Sequence, residues 1–271
     1  MEKLIITVAP TGNVPTKSLT PHVPVTAAEI AEDVLACYER GASVAHIHAR
    51  DEEGMPTSEL AFFAEIVRAI EATGCPIIKQ ISTGARAGKS AEARAAALML
   101  GQPSASLATG SSNFPRTANL NDPVLVEHLA KTMFAQNTKP EIEIFDAAMI
   151  NNAVQLHKAG LIKAPLHFNL VLGVKGSLPA TPKNLFFLVE SLPPDSVWGV
   201  SIIGPEHVNL SVIAMGLGGN VRVGVEDNLY YSKGVLATNV ALVERIANIA
   251  RAMGREIATP ADVLRIWGIR E

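Results

Sequence analysis

The sequence predicts a (β/α)₈ barrel, or TIM barrel, and three observations lead to this fold class. The chain has 271 residues, close to the roughly 250 residues over which such a barrel closes. Short runs rich in β-branched residues alternate with longer amphipathic stretches, which is typical of parallel strands joined by right-handed helical crossovers. No proline-, glycine- or serine-rich linker divides the chain. We therefore expect one barrel domain over residues 1–271, with a helical extension at its C-terminus.

Eight runs have the composition of buried strands, and each is followed by a stretch with helical spacing. The first helix begins at the capping-box motif Thr26 to Glu29 and runs to Arg40. The count of eight favours a closed barrel over an open doubly wound sheet, whose GxGxxG and GxxxxGK[ST] phosphate motifs are absent from the sequence. In chain order, the predicted strands are residues 4–9, 43–49, 76–82, 104–109, 141–145, 166–172, 196–202 and 221–225.

Composition and charge exclude several classes of function. The net charge is −3, and no dense run of Lys and Arg is present, so neither a nucleic acid nor an anionic membrane is expected as a partner. The first run of hydrophobic residues is too short and too β-branched for a signal peptide or a membrane span. Two cysteines, Cys37 and Cys75, fit a reducing compartment. We expect a cytoplasmic protein with a small-molecule substrate.

The second predicted strand carries the pair His46 and His48. Because strand side chains alternate between faces, both imidazoles point to the same side and Ile47 points to the other. Two histidines with this spacing at the C-terminal end of a barrel strand are a common way to hold a divalent metal. The alternative is a pair of hydrogen-bonded histidines without a metal.

Ionisable residues also follow the eighth predicted strand, in the segment from Arg222 to Asn228. Glu226 would complete a set of two histidines and a carboxylate, which is the ligand composition of a catalytic zinc site with an open position. Asp227 then remains free to act as a base. The alternative is a layer of salt bridges in which Arg222 pairs with Glu226 or Asp227.

The remaining strand ends supply hydroxyl groups, glycines and carboxylates. Ser82 and Gly84 follow the third strand, and Ser106 lies on the fourth. Such groups suit a substrate carboxylate, although Ser-Thr-Gly turns are also ordinary connections between a strand and a helix. On the fifth strand, Glu141 and Glu143 share one face by parity, and Glu143 is the predicted site residue.

At these residues the sequence resembles the β-keto acid cleavage enzyme family, whose founding activity is the cleavage of 3-keto-5-aminohexanoate. The resemblance covers essentially the whole chain, and its motifs are specific when taken together. They are Thr11-Gly12, the Pro24 to Glu29 entry, H-x-H-x-R at His46 to Arg50, Q-I-S-T-G at Gln80 to Gly84, Asn113-Phe114, and R-x-G-x-E-D-N at Arg222 to Asn228.

This resemblance implies a zinc-binding barrel and a homo-oligomer. It also implies that a β-keto acid and acetyl-CoA exchange groups to give acetoacetate and a new acyl-CoA. The implied roles are zinc binding by His46, His48 and Glu226, proton transfer by Asp227 with Arg222 and Glu143 holding it, and binding of the substrate carboxylate by Ser82, Gly84 and Ser106.

One departure from the family pattern concerns the substrate tail. Family members that act on the cationic amino substrate carry a glutamate shortly after the first Thr-Gly turn, where this chain has Val14. An unpaired buried ammonium costs several kcal/mol. We therefore expect a β-keto acid with a neutral or apolar tail.

Two other functions stay open from the residues alone. A zinc-dependent lyase of the class II aldolase type uses the same metal and enolate chemistry. A non-catalytic barrel that binds a metal or a small acid is the second alternative. The apolar stripe from Val263 to Trp267 either caps the barrel or packs against a neighbouring chain, and Lys175 is a weak candidate for contacting the phosphates of CoA.

Overall fold

The computed structural model describes residues 1–84, 90–115 and 117–269. Its centre is a closed barrel of eight parallel strands, in which each strand pairs with the next along the chain and the first pairs with the last. The predicted fold class is therefore confirmed. The barrel strands are β1 (Ile6–Val8), β2 (Val44–Ile47), β3 (Ile78–Ile81), β4 (Ser104–Ala108), β5 (Lys139–Ile144), β6 (His167–Leu172), β7 (Val197–Ile202) and β8 (Asn220–Val223).

Helices surround the barrel and bury one face each against the strands. The Thr26 side chain and Glu29 form the predicted capping box of the first helix, which satisfies backbone N–H groups that a helix start leaves free. The helices are α1 (Ala27–Arg40), α2 (Leu60–Ala72), α3 (Ala91–Ala95), α4 (Pro123–Ala135), α5 (Ala148–Lys158), α6 (Pro182–Glu190), α7 (His207–Gly216), α8 (Asn239–Ala252) and α9 (Pro260–Ile266).

The eighth strand ends earlier than its sequence predicts. The apolar run continues to Val225, but β8 stops at Val223 because the chain turns at Gly224. A Cβ atom on Gly224 would lie 2.0 Å from the carbonyl oxygen of Ala9, so only glycine allows this approach of the chain after β8 to the chain after β1. The residues that follow are thereby placed in a turn at the barrel mouth.

The N-terminal end of the barrel is closed by the C-terminal helix. Trp267, which follows the last residue of α9, is fully buried in an apolar cluster with Ile5, just before β1, and with Val44 of β2 and Ile78 of β3. Thr259 begins this helix with a capping box to Asp262. The apolar stripe of α9 therefore caps its own barrel, which decides between the two alternatives for this segment.

The middle of the barrel is polar, unlike its N-terminal end. Side chains from four neighbouring strands fill this layer and are buried: Gln80, Ser104, Glu141, His167 and Asn169. Strand pairing places His46, Gln80 and Ser104 side by side on three consecutive strands. Cys37 and Cys75, as expected, are buried and form no disulfide. No helix in the described ranges combines the length and the apolar content that crossing a membrane requires.

Candidate functional site

The three predicted metal ligands meet at the C-terminal mouth of the barrel. His46 lies in β2, His48 follows it, and Glu226 lies in the turn after β8. Their ligand atoms all lie within 4.8 Å of one another. The Nε2 atoms of the two histidines are 3.3 Å apart, and His48 Nε2 is 3.2 Å from Glu226 Oε1. Residues far apart in the chain thus form one compact donor set.

His46 is held in the form that a metal ligand needs. Its Nδ1 lies 2.7 Å from Oε1 of Gln80, and an amide oxygen only accepts hydrogen bonds, so Nδ1 carries the proton and Nε2 keeps its lone pair. Burial lowers the pKa of His46 to about 3. The ring is therefore neutral at physiological pH, and its free nitrogen faces His48 and Glu226.

Glu226 has one oxygen that lacks a protein partner. Oε1 accepts a hydrogen bond from Nη2 of Arg222 at 2.7 Å, while Oε2 is buried without a hydrogen bond among the described residues. Burial acts to raise the pKa of Glu226, but His48 and Arg222 more than offset it and hold the pKa well below its usual range. Two imidazoles and an ionised carboxylate with a spare oxygen fit a divalent metal such as zinc.

The turn after β1 is shaped to fit Glu226. Gly12 has φ +63°, and a Cβ atom there would lie 2.4 Å from Cγ of Glu226. Any other residue would be both strained and in collision with the carboxylate side chain. Arg50 fixes the same loop, because its Nη2 donates to the carbonyl oxygens of Gly12 at 2.7 Å and of Pro15 at 2.8 Å.

Asp227 is oriented by Arg222 through two hydrogen bonds. Nε of Arg222 donates to Oδ2 and Nη2 donates to Oδ1, both at 3.0 Å. The same guanidinium bonds Glu226 and lies 3.6 Å from Oε1 of Glu143, so the salt-bridge layer and the candidate metal site coexist around one arginine. Nη1 of Arg222 is buried and has no hydrogen-bond partner in the described part of the chain.

Burial and mutual repulsion set the charges of the carboxyl groups in the mouth. Burial raises the pKa of Asp227 above its usual range, although Arg222 acts against this rise. Burial raises the pKa of Glu143 to about 7, with nearby carboxylates adding to the effect and Arg222 opposing it. Glu143 can therefore exchange a proton near neutral pH.

A pocket of about 850 Å³ opens beside this cluster. Its lining includes His48, Glu143, Arg222, Glu226 and Asp227 together with Ser82, Gly84, Val14 and Lys175. Two predicted site residues, His46 and Ser106, are not part of this lining. His46 lies deeper, beside Gln80, and Ser106 lies under the loop after β3. The hydroxyl oxygen of Ser106 accepts a hydrogen bond from the backbone N–H of Thr83 in this loop at 3.3 Å.

The sequence patterns did not identify two residues that hold the loops of the site in place. Asn239 at the start of α8 accepts from the backbone N–H of Val225 at 2.8 Å and donates to Asp33 at 2.7 Å. Arg94 donates to the carbonyl oxygen of Thr83 at 2.8 Å. Both contact backbone or side chains from distant segments, and no spacing in the sequence signals such contacts.

Comparison with known proteins gives a family match over almost the full length. The family model described as beta-keto acid cleavage enzyme matches residues 3–269. The chain is 42% identical over 99% of both chains to the 3-keto-5-aminohexanoate cleavage enzyme of Acetoanaerobium sticklandii. It is 40% identical to the 3-oxoadipate:acetyl-CoA acetyltransferase of Cupriavidus necator, over 98% of this chain and 94% of that enzyme.

A solved structure supports the fold independently. ObcA, in a ternary complex with a C4-CoA adduct and oxalate, superposes with a TM-score of 0.77 over 92% of this chain and 68% of its own chain. The two sequences are 22% identical over the matched region. At this level the similarity concerns the barrel architecture alone.

Proposed function

The chain belongs to the β-keto acid cleavage enzyme family, and from this premise we propose that it transfers an acyl group between a β-keto acid and acetyl-CoA. The products are acetoacetate and a new acyl-CoA. In this exchange the C2–C3 bond of the β-keto acid breaks, a new carbon–carbon bond forms at the acetyl carbon, and the thiol of CoA moves to the released acyl group. Each atom and the transferred proton are conserved.

A single observation carries the proposal. The three-ligand cluster of His46, His48 and Glu226 stands beside Asp227, which Arg222 orients, at the edge of the pocket. An acid–base group next to an open metal site is the arrangement that forms an enolate from a keto acid. A salt-bridge layer without a reaction would not require a buried carboxylate oxygen that lacks a partner, as found on Glu226.

We propose that the metal is zinc, bound by His46, His48 and Glu226. When bound, zinc supplies a Lewis acid that stabilises negative charge on the 3-keto oxygen of the substrate. Gln80 keeps the donor nitrogen of His46 free of a proton, and Gly12 leaves room for the side chain of Glu226. The protein thus contributes a preorganised donor set of two neutral imidazoles and one carboxylate.

Asp227 is the proposed general base. It takes a proton from C2 of the β-keto acid and returns it to the C2 carbon of the acetoacetate that leaves. The two hydrogen bonds from Arg222 orient the Asp227 carboxylate and balance its negative charge before it takes the proton and after it returns the proton. Glu143 lies beside the same guanidinium, and burial raises the pKa of its carboxyl group to about 7. Its protonation state therefore sets how much negative charge surrounds Arg222 and Asp227.

The substrate carboxylate is assigned to the loop after β3. Ser82 and Gly84 line the pocket, and the Ser82 hydroxyl oxygen already accepts from the N–H of Gly84 at 3.2 Å. Its proton is therefore free to point toward a substrate anion. We propose that Ser106 acts indirectly, since its hydroxyl group holds the backbone of Thr83 in this loop.

The proposed substrate has a neutral or apolar tail. Val14 lines the pocket at the position where an acidic side chain would meet a cationic tail. The carboxylates in the described lining are Glu143, Glu226 and Asp227, and all three surround Arg222. An ammonium group near Val14 would find none of them free, so its desolvation would go uncompensated.

The test combines metal analysis with a substrate panel. The purified protein is assayed for bound zinc, and then for acetoacetate release from acetyl-CoA with 3-ketohexanoate, 3-keto-5-aminohexanoate and 3-oxoadipate. We expect about one zinc per chain and the highest kcat/KM with the neutral acid. Zinc without acetoacetate would favour the aldolase-type alternative, and a preference for the amino or dicarboxylic acid would contradict the role given to Val14.

A matched pair of variants isolates the charge at this position. In Val14→Glu we expect kcat/KM for the amino substrate to rise about fivefold relative to that for 3-ketohexanoate, the gain of a partly exposed ion pair. Val14→Gln has the same size without the charge and should leave the ratio within twofold. An equal rise in both variants would assign the effect to size instead of charge.

The remaining parts of the proposal concern the state of the protein in the cell. We propose a homo-oligomer in the cytoplasm, with residues 1–271 forming one barrel domain that α9 extends. Two free, buried cysteines support a reducing location. Exposed apolar residues on the outer helices, such as Phe186 and Phe187, support an interface between copies.

A further inference from the structure

The side chain of Asn239 is fully buried and joins three distant segments of the chain. Its Oδ1 accepts a hydrogen bond from the backbone N–H of Val225 at 2.8 Å. Its Nδ2 donates to the carbonyl oxygen of Pro10 at 3.2 Å and to Oδ2 of Asp33 at 2.7 Å. Both amide hydrogens and the amide oxygen of this asparagine are therefore in use.

Two backbone partners fix the orientation of the Asn239 amide. The N–H of Val225 can only donate and the carbonyl group of Pro10 can only accept, so the amide oxygen must face Val225 and the amide nitrogen must face Pro10. An aspartate at this position would lack the donor, and an aliphatic residue would lack both groups. The bridge therefore requires an amide side chain.

The two backbone segments that Asn239 joins both adjoin Glu226. Val225 immediately precedes Glu226 in the turn after β8. Pro10 lies two residues before Gly12, where a Cβ atom would lie 2.4 Å from Cγ of Glu226. One segment thus carries the Glu226 side chain, and the other packs against it.

The direct backbone contact between these two segments is long. The N–H of Glu226 lies 3.3 Å from the carbonyl oxygen of Ala9, beyond the usual range of about 2.7–3.2 Å for such a bond. The Asn239 bridge is anchored outside the barrel, because Asn239 begins α8 and Asp33 belongs to α1. Burial raises the pKa of Asp33 to about 6, so at pH 8 it is ionised and accepts this bond as a carboxylate.

We infer that Asn239 is a positioning residue: anchored by Asp33, its bridge holds the carboxylate of Glu226 in the metal site. The inference rests on the metal site of the proposed function. Without the bridge, the turn after β8 and the loop after β1 could move apart, and the carboxylate would adopt several positions. Zinc would then have to order the turn as it binds, and this cost would weaken its binding.

The test measures zinc affinity, which does not depend on turnover. Zinc dissociation constants are determined at pH 8 by competition with a chromophoric chelator, at a temperature where every variant is folded. The wild type is compared with Asn239→Ala and with Asn220→Ala. Thermal unfolding of the zinc-free proteins reports stability separately.

Asn220 provides a matched control at the opposite end of the barrel. It is also a buried asparagine that joins two backbone segments, and it lies at the start of β8. Its Oδ1 accepts from the N–H of Ile5 at 2.9 Å, and its Nδ2 donates to the carbonyl oxygen of Trp198 at 3.1 Å. The two alanine variants therefore remove the same kind of bridge, one beside the candidate site and one far from it.

We expect Asn239→Ala to weaken zinc binding about 10- to 100-fold, the range for residues that hold metal ligands in place. Asn220→Ala should stay within twofold of the wild type. Both variants should lower the Tm, because each leaves buried backbone groups without partners. Equal zinc affinities in Asn239→Ala and the wild type would overturn the inference, and so would equal losses in the two alanine variants.

An exchanged pair covers the case in which Asn239→Ala does not fold. Asn239→Asp keeps an oxygen for the N–H of Val225, but it loses the donor and places a second carboxylate beside Asp33. Adding Asp33→Asn restores this contact with donor and acceptor exchanged, at the net charge of the wild type. We expect Asn239→Asp to bind zinc at least tenfold more weakly than the wild type, and the pair to recover at least threefold of this loss. A pair that binds no more tightly than Asn239→Asp would overturn the inference.

Failure of this inference is distinguishable from failure of the proposed function. If the wild type binds no zinc, the metal site itself is wrong. If the wild type binds zinc and Asn239→Ala binds it equally tightly, the metal site stands and only the role of Asn239 is rejected.

Discussion

The two ends of the barrel are built from the same strands but differ in every physical respect. On β2 and β3, Val44 and Ile78 face the apolar N-terminal floor around Trp267, and His46 and Gln80 lie two residues further along. Because side chains alternate along a strand, a step of two residues moves from one layer of the interior to the next. The barrel thus separates an apolar layer that stabilises the fold from a polar layer that contains residues of the candidate site.

The floor and the mouth should also differ in how well they tolerate amino-acid substitutions. The floor is stabilised by burial of apolar surface, which scales with area and tolerates substitution by similar shapes. The mouth concentrates three carboxylates around Arg222, and there stability depends on directed hydrogen bonds and ion pairs. We therefore expect substitutions at the mouth to change activity and metal binding, and substitutions at the floor to change stability alone.

The largest effect is expected at the mouth, for Asp227→Asn. The amide keeps an oxygen that accepts from Arg222, but it cannot take the C2 proton. We expect kcat to fall about 10⁴-fold, the upper range for loss of a general base, with zinc content unchanged. Asp146→Asn, an exposed carboxylate after β5, is the control and should retain full activity. A fall in kcat of less than tenfold would mean that another group is the base.

At the floor, Trp267→Ala should be the most destabilising change. Removing a fully buried tryptophan costs about 3–5 kcal/mol of the free energy of unfolding, which denaturant titration measures. Trp267→Phe should cost only about 1 kcal/mol, because Nε1 has no partner among the described residues. Zinc affinity of the folded variants should stay within threefold of the wild type. A larger change in zinc binding would break the separation between floor and mouth.

Replacing Gly12 or Gly74 by alanine tests whether one added methyl group at the mouth weakens zinc binding. Both have positive φ, but a Cβ atom on Gly12 would meet Glu226 while one on Gly74 would meet nothing within 4 Å. Gly74→Ala should therefore cost only the backbone strain, about 1 kcal/mol. We expect Gly12→Ala to cost more and to weaken zinc binding at least tenfold by displacing Glu226. Equal effects of the two variants on zinc binding would contradict this reading of the turn.

The smallest effect on the candidate site is expected for a residue outside both ends of the barrel. This residue should make the stability of the fold depend on pH. Asp33 on α1 accepts from Asn239, and burial raises its pKa to about 6 from 3.8. A group with a raised folded-state pKa stabilises the protein fully at low pH, and this contribution is lost as the pH rises through that value. Relative to the wild type, Asp33→Asn should become about 2–3 kcal/mol more stable as the pH rises from about 4 to 8.

Unfolding titrations at several pH values check this last prediction. Glu39→Gln, an exposed carboxylate of the same helix, provides the matched control. A stability difference between Asp33→Asn and the wild type that does not vary with pH would show that Asp33 is not the group responsible.

Much of the fold and of the site could be predicted from the sequence, because both depend on local periodicity. Alternation along a strand predicts that His46 and His48 share a face, and the rule that sites lie at the C-terminal ends of barrel strands predicts that Glu226 joins them. The structure brings these three residues together. Their roles, and those of the proposed catalytic and substrate-binding residues, stay predictions until they are measured.

The parts that could not be predicted depend on contacts between distant segments. The early end of β8 follows from the approach of Gly224 to Ala9, and the position of Ser106 under its loop follows from the bond to Thr83. Asn239 reaches the turn before Glu226 from the start of another element. No local pattern encodes such contacts, since each joins segments that meet only in the folded barrel.

Closure of the barrel has a consequence for the order in which the protein matures. Strand β1 pairs with β8, and His46 and Glu226 are separated by most of the chain. Bringing them together requires long loops to close first, which is slow and entropically unfavourable until the ring is complete. A ribosome-bound chain that ends before β8 offers only two histidines. Loading of the proposed metal would therefore be a late event, and zinc uptake would report the completion of the ring during synthesis or refolding.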